Sequence, residues 1–294
     1  MMNRLVTLDH SQWDPALSAV EASALTDALE SGMVLFLPRL GFRLSAEEMR
    51  FLSPRWSDAR AKNISYDPRC DALKGAAVQE ADAVSLKSTM ARYARNAQTI
   101  VEHLCPHYQG KIGIARTSLR VVEVAGRRPR SVAKDDARLH IDAFASQPNQ
   151  GRRILRVFCN INPEGKPRVW RLGEPFDAIA ARFRDRIPKQ WPGSAWLLER
   201  LGITRSRRTA YDHIMLGLHD SAKADDAYQQ HAAFDQVAFP PGATWIVYTD
   251  YVMHAALGGQ YLLEQTFHLP VGAMRDEHYS PLRHLERLFQ RELV

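Results

Sequence analysis

His140-Ile-Asp142 offers an imidazole and a carboxylate two positions apart inside an alternating run, Leu139 to Phe144. On an extended strand these two side chains point to one face while Leu139 and Ile141 point to the other, so the pair can share one metal ion. A third donor stands far along the chain. His254 follows Phe239-Pro-Pro-Gly-Ala-Thr-Trp-Ile-Val-Tyr-Thr-Asp-Tyr-Val-Met, in which a Pro-Gly turn precedes an apolar strand, and Gly258-Gly259 then turns the chain back into Tyr261 to Leu269. Two histidines and one carboxylate on one side of a metal leave open coordination positions, the arrangement used by non-haem Fe(II) oxygenases. The bland alternative is a surface His/Asp pair and a hydrogen-bonded core histidine.

An oxygenase with a keto-acid cosubstrate needs a cation opposite the far carboxylate. Arginine suits this because its planar fork makes two parallel charge-assisted hydrogen bonds. Arg156 lies in Ile154-Leu-Arg-Val-Phe-Cys-Asn-Ile, a charge amid apolar strand residues, which either snorkels outward or meets an anion. Arg120 in Leu119-Arg-Val-Val-Glu-Val, and Arg168 with Trp170 in Pro167-Arg-Val-Trp-Arg, pose the same question.

The elements that must position these groups follow from periodicity and breakers. Residues 1–115 read as mainly helical: Asp14 to Glu30 has helical spacing, Ser45-Ala-Glu-Glu48 has the form of a capping box opening a short helix that Pro54 ends, and Ala83 to Leu104 is a long helix stopped before Pro106. From about Ser118 the pattern turns to strands, namely Leu119 to Val124, Leu139 to Phe144, Ile154 to Ile161, Val169 to Leu172, Tyr211 to Leu218, Gln236 to Phe239, Trp245 to Thr249 and Tyr261 to Leu269. The expected fold is α+β, mainly β: one domain over 1–294, with a jelly-roll core over 116–272, N-terminal helices, a helical insertion near 176–201 and a C-terminal helix in 273–294. Trp191, Trp196 and Leu197 of the insertion are expected to cap one sheet. The closing segment, with Leu282, Leu285, Leu288 and Phe289 on one side, either docks on the core or lies on anionic lipid.

Composition narrows the classes. The 294 residues carry 39 Lys plus Arg against 33 Asp plus Glu, a formal charge of +6, and 45% are hydrophobic, which excludes intrinsic disorder. A basic surface favours acidic partners; clusters at Arg127 to Arg130, Arg152 to Arg156 and Arg205 to Arg208 lack the long basic tail of nucleic-acid binders. Three cysteines without paired spacing support neither a disulfide framework nor a zinc ribbon, and the N-terminus carries no apolar leader. A reducing compartment, the cytoplasm, is the expected location.

The stretches LHIDAFASQPNQGRRILRVFCNINPEGKPRVWRLGEPF and FPPGATWIVYTDYVMHAALGGQYLLEQTFHLP resemble the Kdo hydroxylase family of Fe(II)/2-oxoglutarate-dependent dioxygenases. The HxD with a distal histidine is shared across the oxygenase superfamily, whereas NINPEGKPRVWRLGEPF is particular to this family. The resemblance implies a double-stranded β-helix in which His140, Asp142 and His254 bind Fe(II), with 2-oxoglutarate and O2 as cosubstrates. It also implies hydroxylation of Kdo at carbon 3, to Ko, on a Kdo-bearing lipid A precursor at the inner face of the inner membrane. Arg120, Arg156, Arg168 and Trp170 fall where the family places pocket residues. In the wider superfamily the strand after the distal histidine often carries the keto-acid arginine; here it reads Tyr-Leu-Leu-Glu-Gln-Thr-Phe-His-Leu, so the role passes to Arg156. Two other readings use the same residues: a cupin-like protein that binds an anionic sugar without catalysis, and a metal-dependent sugar isomerase without oxygenase activity.

Overall fold

A computed structural model describes residues 4–58, 61, 63–129 and 131–294; Met1 to Asn3 and Arg130 of the basic cluster lie outside the described residues. The strands are β1 (Leu5–Thr7), β2 (Val34–Leu37), β3 (Ile64–Asp67), β4 (Ala72–Lys74), β5 (Gly113–Arg120), β6 (Arg153–Asn160), β7 (Arg168–Leu172), β8 (Asp235–Phe239), β9 (Thr244–Tyr248), β10 (His254–Gly258) and β11 (Leu262–Leu269). The helices are α1 (Ala19–Glu30), α2 (Glu80–Leu104), α3 (Phe176–Phe183), α4 (Ser194–Arg200), α5 (Ala210–Ala224), α6 (Asp226–His231) and α7 (Pro281–Phe289).

Two sheets result. The larger runs β1-β2-β9-β6-β11-β5-β3-β4 and is antiparallel except for the β1/β2 pair; the smaller runs β10-β7-β8. Strand β6 is buried at every position because both of its faces are covered. Behind it, Leu86, Met90 and Tyr93 of α2 pack against Leu119, Cys159 and Leu263, and the Tyr93 hydroxyl donates to the Val157 carbonyl at 2.9 Å. In front, Trp245 stacks on Phe239 at 4.0 Å and on Phe158 at 5.2 Å, with Trp170 edge-on at 5.5 Å, so aromatic rings from both sheets form one layer. Each such ring removed from water contributes about 1.5 to 3 kcal/mol, which makes this layer the main tie between the sheets.

Strands β6, β7, β8, β9 and β11 lie where the alternating runs place them, within a residue at each end. Other elements differ. Tyr211 to Leu218 is not a strand but part of α5, which opens on a capping box between Thr209 and Asp212. Its apolar residues Tyr211, Ile214, Met215 and Leu218 recur at three- and four-residue spacing, a helical period. Leu139 to Phe144 forms no strand beyond one isolated bridge, His140 to His254. The expected strand at Leu119 to Val124 starts earlier, at Gly113, and ends at Arg120. Residues 1–115 are less helical than expected, since β1 to β4 contribute half of the larger sheet's strands. The Ser45 to Glu48 capping box forms, with Ser45 N–H donating to Glu48 at 2.8 Å, but it opens a single 3-10 turn. The helical insertion continues to His231. Trp191, Trp196 and Leu197 cap no sheet; all three are exposed. Helix α7 docks on the core through buried Leu282 and Leu285, with Leu288 and Phe289 packed alongside, so its apolar side faces protein. The three cysteines are free thiols.

One buried ion pair holds the corner on which the site hangs. Arg153 and Asp250 are both fully buried, with Arg153 Nε donating to Asp250 at 2.9 Å and the guanidinium 3.8 Å over the Tyr248 ring. The adjacent Thr249 donates its N–H to the Ile154 carbonyl at 3.0 Å and accepts from the Asp142 N–H at 2.7 Å. Replacing Asp250 by Ala strands a buried guanidinium and is expected to lower stability by about 3 to 5 kcal/mol in urea unfolding. The double change Arg153→Met with Asp250→Leu should recover most of that loss; no recovery would show that the pair acts through something other than its buried charge.

Candidate metal centre

His140, Asp142 and His254 come together: one ligand atom from each lies within 4.8 Å of the others, and all three residues are buried. Backbone pairing explains the approach. His140 N–H donates to His254 O at 3.0 Å and His254 N–H to His140 O at 2.9 Å, so the two residues face each other across an antiparallel bridge with ring centroids 4.6 Å apart. His254 also begins β10, opposite Leu172 of β7, and Trp170 stacks on its ring at 5.2 Å.

The imidazole tautomers are fixed by the backbone. His140 Nδ1 is 2.7 Å from the Arg138 carbonyl and His254 Nδ1 is 2.9 Å from the Val252 carbonyl. Carbonyls only accept, so each Nδ1 carries the hydrogen and each Nε2 keeps its lone pair for a metal. Burial holds both histidines below the ordinary imidazole range, and the neighbouring His254 and then Lys223 add to this at His140. For Asp142, burial opposes ionisation, but Arg156 and then the two histidines outweigh it and keep the carboxyl well below the usual carboxylate range. Two neutral nitrogens and one carboxylate are the donor set that Fe(II) accepts at a facial site, so these residues fit that metal.

The cluster opens into a cavity of about 670 Å³. One wall is the inner face of the larger sheet, with Ser118 and Arg120 from β5, Arg156 and Phe158 from β6, and Leu262, Glu264 and Thr266 from β11. Another is α5, through Leu216, His219 and Lys223. A third is the rim Phe144 to Gln147.

All four pocket residues expected from the sequence line this cavity, but their partners differ from expectation. The Arg156 fork is not free: Nη2 lies 2.9 Å from Asp142 and Nη1 bonds to Glu264. Arg120 also bonds to Glu264, through Nε at 2.9 Å and Nη2 at 2.6 Å, and approaches Asp136 at 3.6 Å. Register explains the convergence, since Glu264 on β11 sits between β5 and β6, which carry the two arginines. Arg168 is different. It is buried, and among the described residues it donates only to the Gly259 carbonyl, at 2.7 Å, and its Nε has no partner. Burial, with repulsion from Arg120 next, brings its guanidinium down to about 9. A buried cation in that condition calls for an anion. Gly259, at φ +106°, permits this contact, because a Cβ there would meet the Arg168 backbone at 2.9 Å.

Sequence reasoning missed Glu264, Asp136, His219 and Lys223. Glu264 had a signal, an acid inside an apolar strand at the place where the wider superfamily carries its arginine. The other three had none, for α5 was read as a strand and Asp136 sits in a loop.

The family model described as 3-deoxy-D-manno-oct-2-ulosonic acid (Kdo) hydroxylase matches residues 12–292. Among solved structures, the chain is similar to KdoO, described as a Kdo hydroxylase and a non-heme Fe(II) alphaketoglutarate dependent dioxygenase. The complex with cobalt(II) is 46% identical with a TM-score of 0.96, over 99% of this chain and 97% of that chain. The complex with alphaketoglutarate and Fe(III) is 45% identical with a TM-score of 0.95, over the same shares. No curated protein sequence matches.

The depressed histidines set a pH dependence. Below about pH 6.5 the unfolded chain takes up protons that the folded site refuses, so stability is lost as pH falls. The melting temperature of metal-free protein should be flat from about pH 8 to 7 and decline below about 6.5, a slope that His254→Gln reduces. Cobalt(II) should raise the melting temperature at neutral pH, and His140→Ala or His254→Ala should abolish that rise. An undiminished rise in either variant would exclude that residue as a ligand.

Proposed function

The chain belongs to the Kdo hydroxylase family, and we propose that it is an Fe(II)- and 2-oxoglutarate-dependent dioxygenase that hydroxylates Kdo at carbon 3, to Ko, on a Kdo-bearing lipid A precursor. The observation that carries the proposal is the buried His140, Asp142, His254 cluster at the floor of a cavity walled by arginines. Relatives described as dioxygenases favour this over a binding module or an isomerase. The two sheets are read as the walls of a double-stranded β-helix, and residues 1–294 as one dioxygenase domain.

His140, Asp142 and His254 would hold the iron, with each imidazole oriented by its Nδ1 hydrogen bond. When bound, the iron would let O2 act as the four-electron oxidant, two electrons coming from 2-oxoglutarate as it loses carbon dioxide to become succinate and two from the sugar C–H bond, so that one oxygen atom goes into succinate and the other into the new hydroxyl. The chain supplies position and exclusion of water. Arg156, beside Asp142, is the candidate anchor for the cosubstrate's far carboxylate, with Glu264 holding its fork in place. Arg168, which meets no carboxylate at ion-pair distance among the described residues, is the candidate receptor for the sugar acid, and Arg120 shares Glu264 with Arg156 and repels Arg168. Trp170 fixes the His254 ring, and the aromatic layer of Phe158, Trp245 and Phe239 seals the cavity behind it. No side chain is required as a nucleophile.

Incubation of the protein with Fe(II), 2-oxoglutarate, O2 and a Kdo-bearing lipid A precursor should yield succinate and a product one oxygen heavier, and neither should form with His254→Ala. Oxygen uptake without a heavier sugar would refute the substrate, and a modified sugar without succinate would refute the reaction class. Arg156→Lys keeps charge but loses the fork, so the apparent 2-oxoglutarate constant should rise about tenfold, or about 1.4 kcal/mol. Glu264→Gln should raise the same constant, whereas Arg168→Lys should raise the constant for the sugar substrate. The reverse pattern would exchange the two arginines' roles.

A further inference from the structure

Among the described residues twelve large hydrophobic side chains are exposed, and five of them fall between Trp191 and Ile203: Trp191, Trp196, Leu197, Leu201 and Ile203. Trp191 is 81% exposed and Trp196 55%. Such crowding is not the scatter of single apolar residues that an ordinary surface tolerates. Within the stretch only Ala195 is buried and Leu198 is half-buried, and Thr204, just past its end, is buried as well. Around it stand Lys189, Arg200, Arg205 and Arg207, all exposed, against Glu199 as the one acid between residues 189 and 207.

The patch also has a fixed place relative to the cavity. Arg205 N–H donates to the Ser146 carbonyl at 3.0 Å and the Arg208 guanidinium bonds to the Ala145 carbonyl. Ala145 and Ser146 are part of the cavity rim, so the exposed stretch adjoins the mouth.

We propose that the Trp191 to Ile203 stretch, with its basic border, is an interfacial anchor that lies in the headgroup layer of an anionic bilayer. Indole rings favour that layer because one end is apolar and the other polar, and Lys and Arg beside them meet lipid phosphates. A second copy of this chain is the poorer occupant: two identical basic borders would repel, in a protein whose formal charge is already +6. No described helix is long and apolar enough to cross a membrane, so the contact is peripheral. Helix α7, the other candidate for lipid, has its apolar side occupied by the core. Bilayer contact would turn the mouth toward a lipid-linked sugar; that orientation rests on the proposed substrate, whereas the contact itself does not.

The test uses the full chain and vesicles of phosphatidylcholine with or without phosphatidylglycerol, separated by sedimentation. The protein should sediment with phosphatidylglycerol vesicles, less so as salt rises, and remain free of pure phosphatidylcholine. The double variant Trp191→Ser/Trp196→Ser should lower the partition coefficient at least about tenfold, and Lys189→Ser/Arg200→Ser should also lower it, with the cobalt(II) melting rise unchanged in both. No sedimentation with anionic vesicles, or undiminished binding in both double variants, would overturn the proposal. So would a dimer in the unaltered protein that the tryptophan variant converts to monomer, since that result assigns the face to a second copy. Vesicle binding is read without turnover, so a failed hydroxylation assay and a failed vesicle assay separate the two readings.

Discussion

The site depends on one reciprocal pair of backbone hydrogen bonds. His140 and His254, 114 positions apart in the chain, exchange N–H and C=O across an antiparallel bridge at 3.0 and 2.9 Å, and that exchange sets the separation of their rings. The residues flanking His140 form no continuous strand, and side chains hold them instead: Gln229 bonds to both the N–H and the carbonyl of Leu139, and His219 Nδ1 lies 2.7 Å from the Ile141 carbonyl. Asp142 is held in the same manner, by its own N–H on the Thr249 carbonyl, and Thr249 is tied in turn to Ile154 of β6. The three donors are therefore hung on the backbone of a few strand ends, and the side chains need only adopt the orientation that the carbonyls of Arg138 and Val252 allow.

Around this frame charge is arranged in two ways. Glu264 serves two arginines from the strands on either side of it, which keeps three ionised groups compatible with burial. Among the described residues Arg168 has only a backbone carbonyl. In the first arrangement protein carboxylates hold the guanidinium forks in a set orientation, and in the second no carboxylate among the described residues does so, which is the physical basis for proposing different ligands for Arg156 and Arg168. Membership in the Kdo hydroxylase family gives those ligands a chemistry, since both a keto acid and an acidic sugar present carboxylates.

Much of this was legible in the sequence, and what was not has identifiable causes. His140 and Asp142 announce themselves because two-residue spacing is a local property, and His254 because it follows a buried strand bounded by Pro-Gly and Gly-Gly turns. Strands β6, β9 and β11 were readable from alternation and β-branched content. Helix α5 was not, because Tyr211 to Leu218 mixes apolar residues densely enough to satisfy both periods, and the capping pair Thr209 and Asp212 settles the choice. The occupied state of the Arg156 fork was invisible because it is a cross-strand property: it needs the register of β5, β6 and β11, which no single stretch encodes. The exposure of Trp191 and Trp196 was misjudged for a related reason, since composition alone reads tryptophan as core.

The order of strands in the larger sheet carries a consequence for biosynthesis. Its central strands β9, β6 and β11 combine residues 153–160 with residues 244–269, so the middle of the sheet cannot close until residue 269 has left the ribosome. Until then the nascent polypeptide carries His140 and Asp142 without His254 beside them, and a seam of unpaired β6 backbone open to strangers. The proposed metal site is thereby absent until β10 and β11 have been made, and the interval before that leaves β6 open to aggregation.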